Sequence, residues 1–366
     1  MNPDERLEEL MIQAEELDNT PAKVAILEEA VREADALGDI DQAFYVRQEL
    51  VRAATFSGYK EKAMVAFTWC LGQFDKDPDR FGDFDLLWQY KWVLGSITDF
   101  PQISREQIVR MQDDFESRLQ TQGYGLRASH YLRFDNFKDM GDMEVADDYF
   151  KKWRAAPNDM MADCRACEQN RMVDMHIAMR RDEQALKQAE PILQGRLSCA
   201  EIPHATYSKV LLPLMRLGRF EEARECYQKG YRMISRNQEF LLEAAEHLLF
   251  LVRDGELAKG ARLLEKHLGW ALASTALYRR LHFYLAAEAL LLKLARKGRP
   301  RKLRLPRELP CHRDDDTYQP AELAAWFTMQ ANELLERFDR RNGNDSKTRW
   351  AQELRELAAQ DHPQAA

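Results

Sequence analysis

Residues 207–234 read YSKVLLPLMRLGRFEEARECYQKGYRMI and fall into two amphipathic halves. In the first, Tyr207, Val210, Leu211, Leu214 and Met215 recur at helical spacing, and the pattern stops at Gly218. In the second, Phe220, Ala223, Tyr227 and Gly230 share one helical face. Two apolar stripes joined by a short turn predict a helical hairpin, because each stripe needs a surface to cover it. A glycine suits the turn, since positive φ costs it nothing. Ala223 and Gly230 are small where the two helices must approach closely.

The same pattern repeats along the chain. A turn residue and a small residue five places on occur at Gly58/Ala63, Gly141/Ala146, Arg180/Ala185, Gly218/Ala223 and Gly255/Gly260. From Gly141 onward the turn residues are 39, 38 and 37 positions apart. Nine places after each stand Phe67, Phe150, Ala189, Tyr227 and Leu264. These features, with Pro157 near one repeat's end, resemble the tetratricopeptide repeat (TPR), in a divergent bacterial-type form, over roughly residues 39–272. The units are longer than the family's. Val51, Phe134, Val173, Leu211 and Leu248 stand where its first helix usually carries glycine, and Arg180 replaces one turn glycine. The resemblance implies an all-α, right-handed superhelical solenoid of antiparallel helix hairpins over residues 1–296. A basic, proline-rich strap at 297–319 and C-terminal capping helices at 320–366 complete the expected organisation.

Composition agrees with a repeat architecture. A solenoid adds core one unit at a time, so 366 residues need no single large core. Hydrophobic residues make up 45% and charged residues 31%, too apolar for disorder. The net charge of −8 argues against general nucleic-acid binding. No apolar run approaches the ~18 residues needed to span a bilayer. The start, MNPDERLEELM, has no basic and apolar leader pattern. With six cysteines, this points to thiols or metal ligands in the cytoplasm.

In chain order, further helices are expected at 4–17, 22–37, 39–56, 60–74, 81–100, 104–122, 126–139, 143–155 and 275–295, then at 321–340 and up to 359. Thr20-Pro21 reads as a cap with a first-turn proline, and Ser104 with Gln107 as a capping box. Residues 293–307 carry eight Lys/Arg and no acid, interrupted by prolines. Leu303, Leu305 and Leu309 alternate with charge there, as in an extended strap lying on the helices.

One constellation carries chemistry: Cys164-x-x-Cys167, followed by Cys199 and His204. Cys164 and Cys167 precede Arg180 by 16 and 13 places, and Cys199 and His204 precede Gly218 by 19 and 14. All four thus fall near the opening of the first helix in adjacent repeats, where stacked helices bring them into reach of one ion. Cys3His is a known structural zinc set, and four protein ligands would leave no position for substrate. Small buried packing thiols and a redox-active dithiol are the other two readings. Cys70, Cys226 and Cys311 have no partner spacing. There is no phosphate loop, nucleophile elbow or H-E-x-x-H, and no recognisable acid/base pair, so no enzyme activity is expected.

Function is then expected from a surface. In stacked hairpins the first helices line a concave face suited to peptides. Projection from each turn gives Gln48 and Arg52; Tyr131, Asp135 and Lys138; Asn170 and Asp174; Ser208, Leu212 and Arg216; and Leu249 and Arg253 as its lining. Basic residues amid Asn and Tyr suit an acidic or carboxylate-terminated peptide. The leading expectation is a scaffold for a protein or peptide partner. A regulatory receptor for a peptide or small ligand is the alternative.

Overall fold

A computed structural model describes residues 3–360. The described chain is helical, apart from one two-residue antiparallel pairing of β1 (Arg301–Lys302) with β2 (Thr317–Tyr318). It forms two compact units, Met1–Ala162 and Asp163–Ala366.

The first unit contains α1 (Pro3–Glu15), α2 (Pro21–Leu37), α3 (Ile40–Phe56), α4 (Lys60–Phe74), α5 (Asp83–Leu94), α6 (Arg105–Thr121), α7 (Arg127–Asp139) and α8 (Met143–Ala155). Consecutive helices pack on one another, and α3 also touches α5, which touches α7. Helix starts follow local chemistry. Thr20 Oγ1 accepts from the Lys23 N–H ahead of Pro21, and both halves of the Ser104/Gln107 capping box are formed. The helix expected over 81–100 is shorter: α5 ends at Leu94, and a 3-10 turn at Ile97–Asp99 follows. There Ser96 Oγ donates to the carbonyls of Trp92 and Val93, competing with the helical ladder.

The second unit contains α9 (Arg165–Ala178), α10 (Asp182–Leu193), α11 (His204–Lys209), α12 (Leu211–Arg216), α13 (Phe220–Ile234), α14 (Leu241–Arg253), α15 (Leu257–Ala273), α16 (Leu277–Ala295), α17 (Pro320–Asn342) and α18 (Ser346–Ala359). The first arms are again neighbours in order: α9 touches α11, α11 and α12 touch α14, and α14 touches α16. The arm expected as one helix before Gly218 is broken into α11 and α12. Pro213 is the cause: it has no N–H for the Lys209 carbonyl, and its ring crowds that carbonyl. One apolar cluster runs through this unit from Val173 to Ala358 and takes in Leu303, Leu305 and Leu309 of the basic stretch.

The turn register is the most legible feature. Gly58, Gly141, Gly218 and Gly255 all have φ between 71° and 88°, and Arg180 sits at φ 57°. Arg180 closes the same double-bonded cap as Gly141, Gly218 and Gly255: its N–H reaches the Ile177 carbonyl, and that of Arg181 reaches His176. A side chain in this left-handed conformation costs about 1–2 kcal/mol. Arg180 also pairs with Glu353 on α18, but both partners are about half exposed, and such pairs contribute roughly 0–1 kcal/mol. Arg180→Gly should therefore leave stability unchanged or raise it by up to about 1 kcal/mol, read from chemical denaturation. A clear loss would show that the ion pair outweighs the backbone.

Candidate metal centre

Cys164 is the N-cap of α9, and Cys167 lies one turn inside it, so one helix opening presents both sulfurs on one side. Cys199 comes from the connection between α10 and α11. A tight loop holds it there: its N–H donates to the Ile202 carbonyl at 2.9 Å, and the Ile202 N–H returns to its own carbonyl at 3.3 Å. The sulfurs of Cys164, Cys167 and Cys199 lie within 4.8 Å of one another. Tetrahedral zinc with bonds of about 2.3 Å would need them about 3.8 Å apart. Closure by at most about 1 Å is enough.

His204, the expected fourth ligand, does not join this group. It opens α11, five residues beyond Cys199, and its ring stacks on Phe240 with centroids 5.5 Å apart and planes at 9°. Spacing put His204 at the right end of the right helix, but the face it occupies is set by packing against Phe240.

The electrostatics suit a thiolate cluster. Burial raises the Cys164 thiol. It is outweighed by hydrogen bonds from the Cys167 backbone, the Cys199 and Cys167 side chains and the Ala166 backbone, which together hold Cys164 below the usual thiol range. Burial first, then the charge of Cys164, pushes Cys167 up, and burial together with the bond to Cys164 also raises Cys199. One thiolate is thus stabilised by two neighbours that keep their protons, and a cation would displace those protons. The buried thiols elsewhere differ: burial raises Cys226 to about 11 and Cys70 to about 12. Cys164 and Cys199 are exposed, which sets them apart from those packing thiols.

The projected lining residues divide between the two units. In the first, Arg52 is exposed and Gln48 half-buried on α3, while the Gln48 carbonyl accepts from Gln89 Nε2. Tyr131 is buried beneath Lys91, and Asp135 is paired with Lys138 at 3.1 Å. In the second, Asn170 and Ser208 are buried, the former accepting from Thr206 and the latter donating to the Ala205 carbonyl. Asp174 pairs with Lys209 and Arg216 with Asp182. Leu212 and Leu249 belong to the core. Arg253 is only 4% exposed and donates to the carbonyl of Gln360, just beyond α18. Lys293 and Arg296 reach the same helix end, a charge arrangement that favours a helix C-terminus. Arg253 is therefore not an open clamp, because the chain's own last helix lies against α14 and α16 and uses it.

A better-formed cleft lies in the first unit, across α3 and α5. It holds about 380 Å³ and is lined by Arg52, Phe56, Phe84, Asp85, Trp88, Gln89 and Trp92. Phe56 meets Trp92 edge-on at 5.1 Å, and the Lys91 ammonium sits 3.4 Å from the Trp88 ring. Arg52 was legible from the turn register. The aromatics of α5 were not, because their helix lacks the repeat's turn glycine.

Neither a protein-family model nor a curated protein matches this chain. Among the described residues, no helix is long and apolar enough to cross a membrane.

Proposed function

We propose that this chain is a non-enzymatic binding protein, a TPR-like right-handed superhelical solenoid whose concave face takes a segment of a protein or peptide partner. The architecture is supported by side-chain bonds that recur one repeat apart: Lys62 with Glu28, Lys209 with Asp174, Arg216 with Asp182, and Tyr231 with His267, at separations of 34 to 36 residues. That interval matches the family's unit of about 34 residues better than the turn spacing does. The partner reading is carried by one observation, the half-buried aromatic cleft beside exposed Arg52. Aromatic and arginine side chains are the groups that dominate protein interfaces. An apolar or proline side chain would dock in the cleft against the Phe56–Trp92 pair, with a carboxylate set against Arg52.

A second reading, a receptor for a peptide or small ligand, is favoured by the cleft's volume, which lies within the range of ligand pockets. The three-cysteine cluster is where one zinc ion would be held. Reduced thiols of this kind fit a cytoplasmic protein.

The test is affinity capture from native lysate with wild type, Arg52→Glu and Trp92→Ala, followed by binding measurements on the captured partner. Loss of one interfacial anchor should weaken affinity at least about tenfold, the equivalent of 1.4 kcal/mol, with the thermal midpoint preserved. Full binding by both variants would reject the cleft, and binding of a small metabolite alone would favour the second reading.

A further inference from the structure

We infer that Cys164, Cys167 and Cys199 form a coordinatively open metal site: three thiolates hold one soft cation of the zinc type, and its fourth ligand comes from solution. Closed structural zinc sites use four protein donors, whereas sites with three keep an exchangeable position. Among the described residues, no fourth histidine, cysteine or carboxylate donor joins the three sulfurs within 4.8 Å. His204 is the nearest histidine by sequence, and it is engaged face-to-face with Phe240; Asp163, beside Cys164, is paired with Arg171 at 2.8 Å.

The open side can be located. Cys167 is the partly covered member, one turn inside α9, while Cys164 and Cys199 are both exposed. A cation seated on the three sulfurs would therefore present its remaining position to solvent, between the start of α9 and the loop before α11. Three thiolates around a dication leave one net negative charge. The site selects thiophilic ions over magnesium or calcium, which prefer oxygen donors. Two of the donors belong to one helix turn and the third to a short bonded loop, so the trio is held before any metal arrives. The exchangeable ligand is water at rest. Soft or borderline donors, a thiol or an imidazole, displace it most effectively.

This inference does not depend on the partner-binding cleft, which lies in the other unit. Its test uses the full chain, reduced and free of oxygen, titrated with cobalt(II) as a spectroscopic replacement for zinc. The expected result is one equivalent bound, with thiolate-to-cobalt charge transfer and tetrahedral visible bands. Added imidazole or a small monothiol should shift those bands without releasing the metal. Cys199→Ser should weaken binding about 100-fold, the upper end of what even supporting residues contribute to metal affinity. His204→Ala and Cys311→Ser should leave affinity and spectrum unchanged. Cys199→Ser lies on an exposed loop, and circular dichroism will show whether it folds; if it does not, the response of the wild-type bands to imidazole decides. Absence of stoichiometric binding, visible bands indifferent to added donors, or loss of a nitrogen ligand in His204→Ala would each overturn the inference.

Discussion

Acidification from pH 6.5 to 3.5 is expected to remove on the order of 5 kcal/mol from the stability of the second unit. His247 on α14 and His267 on α15 are both fully buried in its core. Burial lowers His247 to about 3, helped by His267, and lowers His267 to about 3, helped by Lys266. Their surroundings are aromatic. Tyr227 and Tyr231 meet His247 edge-on, Tyr231 bonds His267 Nε2 at 2.9 Å, and Trp270 covers the His267 ring at 4.2 Å. Neither nitrogen of His247 has a hydrogen-bond partner.

Unfolding exposes both imidazoles, which then protonate near their ordinary 6.5. Between pH 6.5 and 3 the unfolded chain therefore binds up to two more protons, and stability falls as pH falls by about 1.4 kcal/mol per unit for each histidine. Glu243 acts in the opposite sense. Burial raises it to about 7, against the pull of Arg279, so the folded state keeps a proton that the unfolded state releases between pH 4.5 and 7. Down to about pH 4.5 one histidine's loss is thus offset, and the net slope is about 1.4 kcal/mol per unit; below that both histidines count. Denaturant midpoints measured across this range should steepen below pH 4.5. His247→Gln with His267→Gln should flatten the acid limb. A wild-type profile level to pH 4 would show that the imidazoles take up protons in the folded state as readily as in the unfolded one.

Substituting alanine at three helical glycines should give three different signs. Alanine in a helix gains about 1 kcal/mol over glycine when nothing obstructs it. At Gly269 on α15 an added Cβ meets nothing within 4 Å, so Gly269→Ala should stabilise by about that amount. At Gly260 the Cβ meets Leu290 Cδ1 at 2.9 Å, the mobile end of a side chain, and the gain should be cancelled. At Gly230 it meets Tyr207 Cβ at 2.6 Å, with His247 Nε2 at 3.1 Å behind. A β-carbon cannot swing away, so α11 and α13 must separate, and Gly230→Ala should cost about 1–3 kcal/mol despite better helix propensity. Gly230→Val should cost more. Thermal or urea denaturation of the three proteins settles the order, and a stable Gly230→Ala would mean that the two helices are less tightly apposed.

That Gly230 was readable as a close-approach residue says where sequence information is strong. Helix pairs, their turns and the small residues between them follow from short-range rules. Apolar spacing sets the buried stripe, left-handed φ sets the turn residue, and the absence of a side chain sets the approach distance. The same rules identified Arg180 as a turn residue without its glycine. They missed the break before Leu211, although Pro213 announces it, because the apolar spacing continues through the proline.

The candidate sites were legible only in part, since each depends on contacts between elements far apart in sequence. Cys164, Cys167 and Cys199 were found together because repeat spacing converts position into place. His204 was expected with them, yet which way a side chain points depends on the neighbour it stacks on, here Phe240. Arg253 projected onto a concave face, and the tertiary structure gives it to the C-terminal end of α18. The aromatic cleft emerges only where α3 and α5 are set side by side. Sequence alone thus determined the helical hairpins and their register, because those are governed by residues within a turn or two of each other. Which side chains meet, and which stay open to a ligand, was decided by how one helix covers the next.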